Sequence, residues 1–146
     1  MHDSHGQCHC GNLEVAFRST MAPEETPVRA CQCSFCRKHG VRAVTDPAGA
    51  AEITVHHPDR LIRYQFGHRA ADFLLCAVCG VYVAAVMEDG EDAYATLIAN
   101  VMDEHWRFKG VPAQVSYVGE DAAERRQRRR EKWTPATLTI LSEAET

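Results

Sequence analysis

Seven cysteines fall in three tight groups, Cys8-x-Cys10, Cys31-x-Cys33-x-x-Cys36 and Cys76-x-x-Cys79, with none elsewhere in the 146 residues. A cysteine used only as a small core residue should turn up singly among apolar neighbours, so the clustering points to shared chemistry. The odd number argues against a disulfide framework, which would leave one thiol over. Met1-His2-Asp3-Ser4-His5 opens the chain without an apolar run, which predicts no signal peptide and a cytoplasmic protein. Thiols there stay reduced, and close-spaced ones bind metal or do redox work. Zinc suits such ligands: its sulfurs sit about 2.3 Å from the metal and so about 3.8 Å apart, a separation that two cysteines on a tight turn can reach. Gly80, directly after Cys79, lets the chain turn without a side chain crowding the ion.

Seven ligands divide naturally as four plus three. Four cysteines make a closed structural site, and three leave a position for water or substrate. Spacing leaves the partition open. Cys33, Cys36, Cys76 and Cys79 would also make a zinc-ribbon set, with Cys8, Cys10 and Cys31 left over. In a third arrangement Cys31, Cys33 and Cys36 form a redox loop without metal.

Residues near the middle group are candidates for substrate contact. Arg37 and Lys38 could attract an anionic thiol, or be a solvated pair. His39 could be a ligand, a proton shuttle or a donor to a ligand; the alternative, an exposed turn residue, is favoured. His9 lies between two ligands and in an extended strand points away from the metal. His2 and His5 are placed in a mobile terminus, and His56-His57 ends a strand with no assigned role. Trp106 and Trp133 are expected in the core or docking the helix.

The elements that must position these residues read as mostly β. Residues 13–18 alternate apolar and polar, the pattern of a half-buried strand. Further strands are expected at 28–30, 53–56, 61–66, 72–76, 81–87, 93–99 and 114–118, with breakers at 19–27, 46–49 and 58–59. Residues 36–40 should turn or form a short helix stopped by Gly40. Residues 122–132, rich in alanine, glutamate and arginine and stopped by Pro135, predict an exposed helix. Its five arginines lie among acids, so a solvated charged face is expected. Length suits a single domain over 1–146, and short strands at this spacing predict antiparallel sheets. Formal net charge is −4, which argues against general affinity for nucleic acid or anionic membrane. No apolar stretch approaches the roughly 18 residues of a membrane span.

Gly6-Gln7-Cys8-His9-Cys10-Gly11, Cys31-Gln32-Cys33-Ser34-Phe35-Cys36-Arg37-Lys38 and Cys76-Ala77-Val78-Cys79-Gly80, in that order, resemble the glutathione-dependent formaldehyde-activating family, also called the centromere protein V family. The resemblance covers residues 6–87. It implies a β-tent of antiparallel sheets held by zinc, to which the residue pattern adds the short C-terminal helix at 122–132. It further implies a structural zinc on Cys8, Cys10, Cys76 and Cys79, and a second zinc on Cys31, Cys33 and Cys36. The activity it implies is that of a carbon–sulfur lyase: glutathione's sulfur takes the open position and adds to formaldehyde or another small aldehyde. Many members read Arg-x-Phe-Cys before the third motif. This chain reads Phe73-Leu74-Leu75-Cys76, and the nearest arginine is Arg69. Two readings compete with the enzyme: a zinc-stabilised binding module using the arginine helix, and a thiol redox or metal sensor using the middle cluster.

Overall fold

Leu13, Val15 and Phe17 form the inner face of β2 (Leu13–Ser19) in the computed structural model, which describes residues 1–141. β5 (Ala50–Val55) repeats the alternation with Ala51, Ile53 and Val55 inward, and pairs antiparallel with β2, Val15 opposite Ile53. β1 (His2–Gln7) flanks β2. β11 (Thr134–Ile140) lies on the other side of β5 and runs parallel to it.

A second run of strands continues from β11. Its first residues, Thr134 and Pro135, pair instead with β9 (Asp92–Ile98), so one strand joins both halves of an open mixed sheet. On one side of β9 come β8 (Tyr82–Asp89), β7 (Asp72–Cys76) and β6 (Leu61–Tyr64), all antiparallel. On the other come β4 (Ala43–Val44), β3 (Arg29–Cys31) and β10 (Ala113–Val115), the last parallel to β3. The expectation of purely antiparallel sheets is thus corrected at two ladders. Parallel neighbours need a long crossover, and local alternation says nothing about which distant strand returns alongside.

The continuous apolar run of β8 is explained by burial on both faces. Val83, Ala84 and Val86 join Leu74, Leu13, Ile53 and the cysteines Cys8 and Cys76 in one core. Tyr82, Ala85 and Met87 belong to a second core with Phe73, Trp133 and Cys36. Each cysteine group therefore has its own apolar seat, with β8 between them.

Three expectations are revised. The first residues are an edge strand, not a mobile terminus: His2 pairs with Ser19 and His5 with Ala16. Polar side chains on an edge strand discourage pairing with other chains, and they also erase the apolar signal of a strand. Trp106 is 62% exposed, whereas Trp133 is buried as expected. The helix α2 (Ala122–Lys132) begins at a capping box formed by Asp121 and Glu124, but it is no solvated face. Arg126 and Arg130 both bind Asp89, Arg125 and Arg128 both bind Glu120, and Arg129 is only 8% exposed.

Gly6 sits where β1 passes against Met102, immediately before the first cysteine pair. A Cβ there would fall on the Val101 carbonyl oxygen and lie 2.7 Å from Met102 Cα, both backbone atoms that cannot swing aside. Gly6→Ala should therefore cost about 2 kcal/mol or more, since a methyl forced into packed backbone displaces β1. Urea denaturation would read this as a lower midpoint. An unchanged midpoint would mean that β1 is not held as described.

Candidate metal centres and cavity

The first cysteine pair lies on the turn between β1 and β2. Gly11 donates its backbone N–H to the Cys8 carbonyl, and the Leu13 N–H reaches Cys8 Sγ at 3.3 Å. The pair after β7 has matching geometry: Gly80 donates to the Cys76 carbonyl, and the Val78 N–H reaches Cys76 Sγ at 3.4 Å. Both turns close through a glycine at positive φ, Gly11 at 90° and Gly80 at 78°. Cys8 and Cys10 sulfurs are 3.8 Å apart, Cys10 and Cys76 are 3.5 Å apart, and all four lie within 4.8 Å of one another.

These separations fit four sulfurs around one tetrahedral zinc. The electrostatics agree. Burial pushes the Cys8 thiol up to about 12. At Cys79 burial acts in the same direction, but backbone N–H groups of Val81 and Cys10 outweigh it and bring the thiol down to about 6. Four thiolates so close, one of them desolvated, need a dication to coexist.

The middle group is built differently. Cys31 ends β3, Cys33 is the N-cap of α1 (Ser34–His39), and Cys36 lies buried in its first turn. Gly40, at φ 59°, stops the helix, as the sequence predicts. The Cys36 N–H reaches Cys33 Sγ at 3.4 Å, and the three sulfurs also lie within 4.8 Å of one another. Hydrogen bonds from the Cys31 and Cys36 thiols, then from backbone N–H groups, hold the Cys33 thiol far below the ordinary thiol range. Among the described residues these are the two groups of three or more close metal-ligand side chains, and they divide the cysteines four and three. Three donors fit an open zinc site.

Beside the three sulfurs is a cavity of about 140 Å³. Tyr117 and Trp133 line it, and Phe66, Phe73 and Tyr82 supply one aromatic wall. Phe35 packs behind them, with ring centroids 5.0 Å from both Phe73 and Tyr82. Arg37, Lys38 and His39 are exposed on α1 and are not part of the lining. His39 packs at a tilt against Phe35, 4.5 Å between ring centroids, and meets the edge of Tyr82 at 5.7 Å. His9 is exposed.

The cations of the cavity come from elsewhere: Arg29 on β3, Arg69, and Arg125, Arg128 and Arg129 on α2. Arg29 donates to Thr45 Oγ1 at 2.6 Å. Burial, then repulsion from Arg128 and Arg125, lowers the Arg129 guanidinium to about 10. Sequence reasoning missed this group. The available signal was the spacing of 125, 128 and 129, which puts three guanidinium groups on one helical face.

A family model described as glutathione-dependent formaldehyde-activating enzyme matches residues 3–119. The match takes in all seven cysteines and stops before α2. Among solved structures, a crystal structure of a Rhodobacter sphaeroides protein is similar, at 26% identity over 76% of this chain and 99% of that chain, with a TM-score of 0.59. No curated protein matches the chain.

The two cysteine groups should respond differently to loss of one ligand. Cys79→Ser breaks a closure between distant segments inside a core, and should give a poorly folded or aggregating protein. Cys36→Ser opens a group that spans a few residues beside a cavity, so it should keep the fold and lose about one of about two zinc equivalents. Circular dichroism and zinc titration on both variants check this. A Cys36→Ser protein that unfolds as badly as Cys79→Ser would refute the division of roles.

Proposed function

The chain belongs to the glutathione-dependent formaldehyde-activating enzyme family, and from that membership we propose that it joins a small thiol, glutathione or a similar one, to formaldehyde or another small aldehyde. One observation carries the reading: three convergent sulfurs, rather than four, stand in the wall of a cavity. Cys31, Cys33 and Cys36 would hold a zinc there, and Cys8, Cys10, Cys76 and Cys79 a second, structural one. When bound to three sulfurs, zinc supplies the positive charge that keeps an incoming fourth thiol deprotonated at neutral pH.

The reaction is an addition. The thiol sulfur bonds to the carbonyl carbon, the carbonyl π pair moves onto oxygen, and a proton equivalent to the one the thiol gave up is taken by that oxygen. Nothing is oxidised or reduced, and the product is an S-hydroxyalkyl thioether. Tyr82 is the donor assigned to the developing alkoxide. Burial first, and the neighbouring cysteine sulfurs after it, raise its phenol well above the ordinary tyrosine range, so its Oη–H stays protonated. A fixed donor aimed at a growing negative charge is worth more in a dry site than in water. Phe66 and Phe73 limit water beside the carbonyl, which favours addition of sulfur over hydration.

Arg37 and Lys38, exposed beside the site, raise the local concentration of an anionic thiol without touching it. His39 steadies Phe35 and Tyr82 by ring packing. The pairing of the α2 arginines with Asp89 and Glu120 speaks against that helix as a nucleic-acid surface. No helix among the described residues is long and apolar enough to cross a membrane, and seven free thiols suit a reducing compartment such as the cytoplasm.

Exchange between ¹³C-formaldehyde and its glutathione adduct, followed by NMR, tests the proposal. Zinc-loaded protein should accelerate the exchange, and Cys36→Ser should return it to the uncatalysed rate. Tyr82→Phe, which keeps the ring and removes one donor, should slow the catalysed part by roughly 10²-fold. Wild-type protein with both zincs that leaves the exchange at its uncatalysed rate with every thiol tried would contradict the assignment.

A further inference from the structure

The segment from 122 to 132 lies beyond the residues that match the family, yet it forms one wall of the cavity that holds Cys31, Cys33 and Cys36. Its arginines divide into two sets. Arg126 and Arg130 turn to Asp89, while Arg125, Arg128 and Arg129 line the cavity. Glu120 takes one bond from Arg125 and two from Arg128, and the Arg128 guanidinium also lies 3.4 Å over the Tyr117 ring. Among the described residues Arg129 has no carboxylate partner. It is 8% exposed, it stacks 4.7 Å from the Trp133 ring, and its Nε stands buried without a hydrogen-bond partner.

A buried guanidinium donor left unpaired is costly, and the cost disappears when an anion arrives. The cavity around it is cationic in a protein of net charge −4. Arg29 and Arg69 add to the same lining, and among the described residues no aspartate or glutamate is part of it. Arg129, Tyr82 and all three cysteines line this one small cavity, so a molecule bound at the arginines lies close to the cysteines. The size is selective too. A cavity near 140 Å³ holds about as much as one that admits benzene, so it takes a short acid group with a few atoms beside it.

Resting on the thiol–aldehyde reading, we propose that α2 builds a carboxylate-binding wall in the reactive cavity, with Arg129 as its centre, so that one of the two reactants must carry a carboxylate. Planar guanidinium groups meet a carboxylate two donors at a time, which fixes the reacting end as well as adding affinity. The carboxylate has two possible sources, the thiol or the aldehyde, and unreactive or single-reactant probes tell them apart.

Isothermal titration calorimetry with S-methylglutathione, its diethyl ester and glyoxylate separates the outcomes without needing turnover. Wild-type protein should bind at least one of the two carboxylate probes, and the diester much more weakly. S-Methylglutathione alone assigns the carboxylate to the thiol, and glyoxylate alone assigns it to the aldehyde. Arg129→Gln should weaken binding by about tenfold or more. Lys132→Gln, which removes the same charge from an exposed position on the helix, should not. Arg125→Gln provides a second variant should Arg129→Gln fold poorly. Binding of neither carboxylate probe, equal binding of the diester, or wild-type affinity in Arg125→Gln and in a folded Arg129→Gln would overturn the inference. Because each probe is offered without a second reactant, carboxylate binding with no accelerated exchange would count against the proposed reaction alone. Exchange equally fast with neutral thiols and formaldehyde would count against the wall alone.

Discussion

The turn after β1 and the turn after β7 belong to different halves of the sheet, and four sulfurs bring them together within 4.8 Å. Cys10 and Cys76 are 66 residues apart in sequence, so this closure holds a long stretch of chain. Much else follows from it. Cys8 and Cys76 are buried in the core between the halves, so the closure and the apolar packing support each other. β8 starts a few residues after the second turn and carries that position across the molecule. Its opposite face supports Cys36 and the aromatic wall of the cavity. A metal on the four sulfurs would thus hold the scaffold on which the three sulfurs stand, although the two groups share no ligand.

The C-terminal segment adds a second layer of constraint. Asp89, at the end of β8, takes two arginines of α2, and Trp133, at its C-cap, is buried beside Cys36. β11 then leaves the helix and pairs first with β9 and afterwards with β5. The helix is held at both ends, and three of its arginines face the cavity: Arg125 and Arg128, which share Glu120, and Arg129. A protein of net negative charge can in this way present a positive interior wall to a small anion.

Much of this arrangement was legible in the sequence, and the exceptions have physical reasons. Strands with alternation or a β-branched run, such as β2 and β8, were read near their true limits, and so was the capped helix at 122–132. β1 was missed because its outward residues are polar, and β11 because Pro135 looked like a stop when it sits at the start of a strand. Parallel pairing depends on distant segments and leaves no local pattern. The cysteine groups are plain from spacing and four plus three from their number, but which cysteines go together rests on resemblance; in the structure the sulfurs cluster in the same two groups. The arginines are legible only in part for a similar reason. Glu120, next to them in sequence, does pair with Arg125 and Arg128, but the partner of Arg126 and Arg130 is Asp89 on β8, far from the helix in sequence.

Stepwise chelation is the most direct test of the central claim that one cysteine group holds the fold while the other serves the cavity. Zinc-loaded protein would be titrated with a chelator of increasing strength, with bound metal counted by native mass spectrometry and folding followed by circular dichroism in the same samples. The predicted result is two steps: a first ion leaves with the β signal intact, and the second leaves only as the protein unfolds. Loss of both ions together, or a fully metal-free protein that keeps its fold, would contradict it.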